Sequence, residues 1–217
     1  MAKETSPPRR YRSALREEQA SATRQRVLVS AGRCFAARGF TATTLGAIAE
    51  EAGVSVETVQ AHGPKKRLLL AALEVASVGV DGGRSILDVP EAQAVLAEHN
   101  AREGLLGLAS FAAELNGRIG RLWQAVAAAA QGDPEIAAAH AGLQERIRAE
   151  FLTVARLLQK RGGLRTDLPV EEVALTLWLL TSPYQHEHLV VQAGWTPERY
   201  LGWLQRVLAE TALAPGI

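Results

Sequence analysis

Cysteine is nearly absent from this chain of 217 residues: Cys34 stands alone, so no internal disulfide can form. No pair of Cys and His residues has metal-ligand spacing, which sets the expectation of no metal and no cofactor. Long apolar runs are missing too. No window approaches the ~20 uninterrupted apolar residues of a membrane span, and the first 26 residues lack the apolar stretch of a signal peptide. A soluble, cytoplasmic protein with no membrane partner is expected. Runs of β-branched residues are few while Ala- and Leu-rich stretches are long, which argues against sheet and for an all-α fold. No Ser-His-Asp or Cys-His arrangement and no phosphate-cradling glycine loop is evident, so an enzyme is not expected.

The hydrophobic share, 47%, is enough to bury a sizeable core. The formal charge of +1 is unevenly spread: residues 1–70 hold 12 Lys and Arg against 6 Asp and Glu, a net +6, and the rest carry −5. A basic head on an acidic body points to a nucleic-acid partner for the head.

Residues 1–20, with Pro7, Pro8 and the cluster Arg9, Arg10, Arg12 and Arg16, are expected to form a loose basic arm able to reach DNA. A helix begins at Ser21, with Val27, Leu28, Ala31, Cys34 and Phe35 on one face, and stops at Gly39. Thr43 or Thr44 caps a short second helix whose stripe is Leu45, Ile48, Ala49 and Ala52, ending at Gly53. Ser55 caps a third, very short helix, which Gly63 and Pro64 break before the Leu68, Leu69, Ala72 and Leu73 stripe of a fourth. Two short helices around a tight glycine turn form a helix-turn-helix, expected over residues 21–78. Glycines 79, 82 and 83 then mark a linker. The remainder, residues 79–217, reads as helices over 102–116, 119–130, 134–160, 170–181, 184–193 and 197–213.

Residues 23–73, TRQRVLVSAGRCFAARGFTATTLGAIAEEAGVSVETVQAHGPKKRLLLAAL, resemble the DNA-binding domain of the TetR family of transcriptional regulators. The match lies in Ala31 and Phe35, the Arg38-Gly39-Phe40 exit, Thr44, Ile48-Ala49, Ala52 to Ser55 at the turn, and Lys66. TSPYQHEHLVVQAGWTPERYLGWLQRVLAE, residues 181–210, is similar to the last two helices of a common C-terminal domain of that family. The resemblance implies an N-terminal helix-turn-helix head on a C-terminal helical bundle that dimerises and binds a ligand. It implies a repressor that grips a palindromic, double-stranded operator as a homodimer and is released by a small molecule. Lys66 would be the phosphate-binding lysine, and the last two helices would build the dimer interface.

Physically, the third helix is the part that fits a major groove. Val54 and Val59 face inward, leaving Ser55, Val56, Glu57, Thr58, Gln60 and His62 outward. Val56 and Thr58 suit a thymine methyl, Glu57 a cytosine amino group and Gln60 an adenine edge. Thr43, Thr44 and Lys66 at helix starts suit phosphate. Two departures from the family stand out: Gln60 where a Tyr is usual, and Gly63 where a Phe is usual. In the body, Phe111, Leu115, Trp123, Val126, Phe151, Trp178 and Tyr184 are the bulky candidates to line an effector cavity. With no clustered charge among them, a small, mostly apolar effector is expected. The helix over 170–181 is apolar nearly all round, and that over 197–213 carries Tyr200, Leu201, Leu204, Val207, Leu208 and Thr211 as a stripe, so a partner subunit is the natural cover. His186 and His188 point different ways and do not suggest a metal site. Two alternatives stay open: a helical scaffold or binding protein with a degenerate head, and an activator in place of a repressor.

Overall fold

The structure is a computed structural model that describes the backbone of residues 9–214 and the side chains from Glu17 onward. Among the described residues every long element is helical. The head comprises α1 (Arg9–Ala42), α2 (Leu45–Ala52), α3 (Val56–Ala61) and α4 (Lys65–Val78). A 3-10 turn (Ile86–Asp88) leads to the body: α5 (Pro90–Ala97), α6 (Ala101–Ala130), α7 (Pro134–Lys160), α8 (Val170–Leu180), α9 (Pro183–His186) and α10 (Pro197–Ala212). α9 runs on as a widened π-helical turn, Glu187–Gln192.

Helix α1 begins at Arg9, not Ser21, which overturns the loose-arm reading for residues 9–20. Arg, Glu, Gln and Ala are good helix formers, so the helix propagates backward from its packed portion on propensity. Residues 1–8 and the side chains of Arg9, Arg10, Arg12 and Arg16 lie outside what is described. The break read at Gly39 is present as a non-helical residue, φ 73°, and one more turn follows it.

Three further differences concern the body. Residues 101–130 form one continuous helix rather than two meeting at Gly117, since each glycine costs a helix only ~1 kcal/mol and no proline interrupts it. Asn116 also anchors that segment, its Nδ2 donating to the buried Thr181 carbonyl at 2.8 Å. α5 was not foreseen; its signal is Pro90 at the first helical position. The stretch read as a regular helix over 184–193 changes hydrogen-bond period partway, from α to π.

Packing does not divide where the chain does. One core joins Val27, Phe35, Ile48, Val59, Leu69 and Leu73 of the head to Ile119, Trp123 and Val126 of α6 and Ile136 of α7. A second core joins Leu105, Leu158, Leu177, Tyr200, Leu204 and Leu208 of α6, α7, α8 and α10. The head is therefore bolted to the body through α6, and a shift of α6 cannot leave α4 untouched.

Candidate nucleic-acid interface and effector cavity

The reading head is assembled by local capping. Thr44 takes an extended conformation and its Oγ1 accepts from the Ala47 N–H at 3.1 Å, starting α2. Gly53 closes α2 in the left-handed region, φ 63°, where a residue with a Cβ is strained. Two residues on, the Ser55 Oγ accepts from the Thr58 N–H at 3.2 Å and starts α3. The turn is thus three residues long, and Val59 is driven fully into the core.

The outer face of α3 is free. Val56, Glu57 and Gln60 are exposed, and Thr58 is half-buried with its hydroxyl 3.2 Å from Ser55 Oγ. Glu57 is held below the usual carboxylate range by its own backbone N–H and by the Ser55 hydroxyl, so it presents a firm hydrogen-bond acceptor. His62 closes α3 half-buried; burial, and then the Arg24 charge, push its imidazole down toward the neutral form.

Two phosphate candidates sit differently from expectation. Thr43 is fully buried, its Oγ1 facing the Gly39 carbonyl at 2.7 Å and the Cys34 carbonyl at 3.1 Å, so it fastens the end of α1 and cannot reach DNA. Lys66 does open α4, but its ammonium is ion-paired with the Glu135 carboxylate at the start of α7. Its neighbour Lys65 was overlooked. Lys65 Nζ donates to the carbonyls of Phe40 at 2.9 Å and Thr43 at 3.0 Å and lies 4.4 Å from the centre of the Phe40 ring. Lys65 therefore completes the head while Lys66 faces outward.

Where the family's Phe is missing, Gly63 has φ +123°, a conformation other residues rarely adopt. Val59, Leu68 and Leu69 on the flanking helices α3 and α4 are wholly buried without that ring.

Behind the head lies a cavity of about 420 Å³, within the range of small-molecule sites. Phe111, Leu115, Trp123, Phe151, Trp178 and Tyr184 all line it. Val126 does not: it is fully buried in the core shared with the head. Trp123 is packed edge-on against His140 at 5.1 Å and Tyr184 at 6.3 Å. Sequence reasoning missed the α4 contribution, Leu73, Ser77 and Val78, and the strap formed by residues 83–87. It also missed charge: Glu74, Arg84, Arg146 and Glu150 reach the lining, which corrects the expectation of an uncharged site. Two of these carboxylates hold the strap, Glu74 accepting from the Gly83 N–H at 3.3 Å, and from Gly82 just before it at 2.8 Å, and Glu150 from the Ser85 hydroxyl at 2.5 Å.

α8 keeps Val173, Ala174 and Leu177 inside and turns Leu175 and Leu179 outward, 46% and 52% exposed. The α10 stripe behaves otherwise: Tyr200, Leu204 and Leu208 fill this chain's own core. His186 and His188 part company, His186 edge-on to Tyr200 at 5.2 Å and His188 Nδ1 3.0 Å from Gln192 Oε1. Among the described residues no helix is long and apolar enough to cross a membrane.

Comparison with known proteins agrees with this arrangement. Residues 27–73 match the model for bacterial regulatory proteins of the tetR family. Residues 106–212 match the model for the C-terminal domain of BetI-type transcriptional repressors. No curated protein matches the chain. Among solved structures, a transcriptional regulator from Saccharomonospora viridis in complex with choline is 23% identical over 89% of this chain and 99% of that one, with a TM-score of 0.71. A TetR-family regulator from Rhodococcus sp. is 19% identical over 87% and 97%, TM-score 0.67. NalD, the secondary repressor of an efflux pump in Pseudomonas aeruginosa, is 16% identical over 90% and 99%, TM-score 0.62. The two family models together span most of the chain, which is a TetR-family DNA-binding transcriptional regulator, of a non-enzymatic family, with a BetI-type C-terminal domain.

Proposed function

We propose that the chain is a ligand-responsive repressor that binds an inverted-repeat operator as a homodimer and releases it when a small, mostly apolar molecule enters the cavity behind the head. The observation that carries this reading is the double duty of α4. Its first turn follows the exposed reading helix directly, and its last turns, through Leu73, Ser77 and Val78, form cavity wall. A molecule that favours a displaced α4 favours a displaced head by the same free energy.

α6 reinforces the link. Arg118 Nε donates to the Ala76 carbonyl at 2.9 Å and its Nη2 to that of Ser77 at 3.4 Å, capping the end of α4. In this reading Val56, Glu57, Thr58 and Gln60 read bases, and Thr44, Ser55 and Lys66 position the head on phosphates. The apolar walls of Phe111, Phe151 and Trp178 support a mostly apolar effector, and the choline held by the S. viridis regulator supports a small one. The exposed Leu175 and Leu179 support a second subunit on α8, which would set two α3 helices about 34 Å apart on one face of DNA.

Selection of bound fragments from random duplex DNA tests the reading. Recovery of an inverted repeat with half-sites one helical turn apart, or a multiple of it, is the expected result. A scaffold protein with a degenerate head would enrich nothing and would show no salt-dependent affinity for random duplex.

A further inference from the structure

Lys66 opens α4, Glu135 opens α7, and the two meet as an ion pair across the head–body junction. We infer that Glu135 is a phosphate surrogate: in the DNA-free protein its carboxylate occupies the ammonium that a DNA phosphate takes in the complex, so α7 competes with DNA for Lys66. The inference rests on the DNA-binding reading above.

The geometry suits a competitor better than a clamp. The Lys66 side chain is 33% exposed and that of Glu135 is 56% exposed, so water screens the pair and a phosphate can displace the carboxylate. The remaining charges around the ammonium are Asp133, the N-cap of α7, which adds attraction, and Arg67, which opposes it. Asp133 is occupied as a cap, accepting from the Glu135 N–H at 2.9 Å and the Ile136 N–H at 3.3 Å, which leaves Glu135 as the mobile partner. The Glu135 hydrogen bond raises the Lys66 pKa, so the amine stays charged whichever anion it holds.

α7 also reaches the cavity. Leu143, Ile147 and Phe151, further along the same helix, are lining residues. Any molecule that moves α7 changes how firmly Lys66 is held, giving the cavity a second route to the head besides α4.

The experiment is a double-mutant cycle on the full chain, reading affinity for a fluorescent random-sequence duplex at low salt. Glu135→Gln removes the competing charge and leaves the Asp133 cap in place; binding tightens about 2- to 5-fold, the range of an exposed ion pair. In a Lys66→Ala background the same substitution gains nothing. Glu145→Gln, which removes an equal charge elsewhere on α7, separates this from a change in overall charge and yields a smaller gain. Unchanged or weaker binding by Glu135→Gln, a gain that persists without Lys66, or an equal gain from Glu145→Gln would overturn the competition while leaving DNA binding intact. Absence of binding by both the wild type and Glu135→Gln would instead remove the DNA reading, and this inference with it.

Discussion

Asp81, in the linker that follows α4, receives both Nε and Nη2 of Arg24 on a single carboxylate oxygen, at 3.0 and 2.5 Å. The same guanidinium sends Nη1 to the His62 carbonyl at the end of α3, 3.3 Å away. One α1 side chain thus ties the chain leaving α4 to the residue that caps the reading helix. Asp81 is pulled below the ordinary carboxylate range, first by the Arg24 hydrogen bond and, in part, by its charge. Asp81→Asn is expected to cost about 0.5–1 kcal/mol at neutral pH, since both side chains keep roughly a third of their exposure. A carboxylate with a lowered folded pKa stabilises above its unfolded value, about 3.9, and that contribution fades as pH falls through the folded pKa. Urea midpoints of wild type and Asp81→Asn should therefore differ at pH ~7 and converge toward pH ~3. A difference that persists at acid pH would show that the ion pair is not its source.

Gly63 carries a second expectation, opposite to what the family pattern suggests. Its φ of +123° disfavours any side chain, although the nearest atom to an added Cβ, Arg67 Cβ, is a comfortable 3.7 Å away. Gly63→Ala should lower unfolding free energy by about 1–2 kcal/mol through backbone strain alone. Gly63→Phe, which restores the ring usual in the family, should lower it as well. A Gly63→Phe protein more stable than wild type in urea would show that the turn can relax and that the ring was in fact missed.

The head was legible because its signals are local. Thr44, Gly53 and Ser55 each act on backbone groups within three or four residues, and such caps and turns can be read without knowing what packs where. Facing across the bundle was harder. Val126 lies three residues after Trp123 and both belong to the core shared with the head, yet only Trp123 also reaches the cavity. Lys65 and Lys66 are indistinguishable in sequence, and only the position of the Phe40 and Thr43 carbonyls assigns one inward and one outward. Thr43 was misread for a similar reason: a hydroxyl before a helix looks like a cap until the end of α1 is seen beside it.

α8 makes the oligomer testable. Leu175 and Leu179 turn apolar surface to solvent, and the proposed dimer would cover this face. Leu175→Glu with Leu179→Glu should leave helicity by circular dichroism unchanged, because both side chains point out of this chain's own core. Sedimentation should show the mass fall from dimer to monomer, and affinity for the recovered inverted repeat should drop by far more than affinity for a single half-site. A double variant that still sediments as a dimer would place the interface elsewhere.

His140 gives the body a pH dependence of known sign. It is 7% exposed, stacked edge-on against Trp123 at 5.1 Å, with Gln144 Nε2 3.2 Å from its Nε2. Burial pushes its imidazole pKa down, so the folded protein resists a proton that the unfolded chain accepts below about pH 6.5. Stability should therefore fall as pH drops through that value and level off below the folded pKa. His62 and His186 are lowered as well, mainly by burial, and add to the same slope. The lowered carboxylates, Asp81 and Asp167 among them, act below about pH 4 and leave this window clear. His140→Gln isolates the one group: its unfolding free energy, measured in urea between pH ~7.5 and ~5, should decline less steeply than that of the wild type, by up to one proton's worth of slope. Equal slopes would mean that His140 takes up its proton in place. The buried edge-on contact with Trp123 would then hold the charged ring as readily as the neutral one.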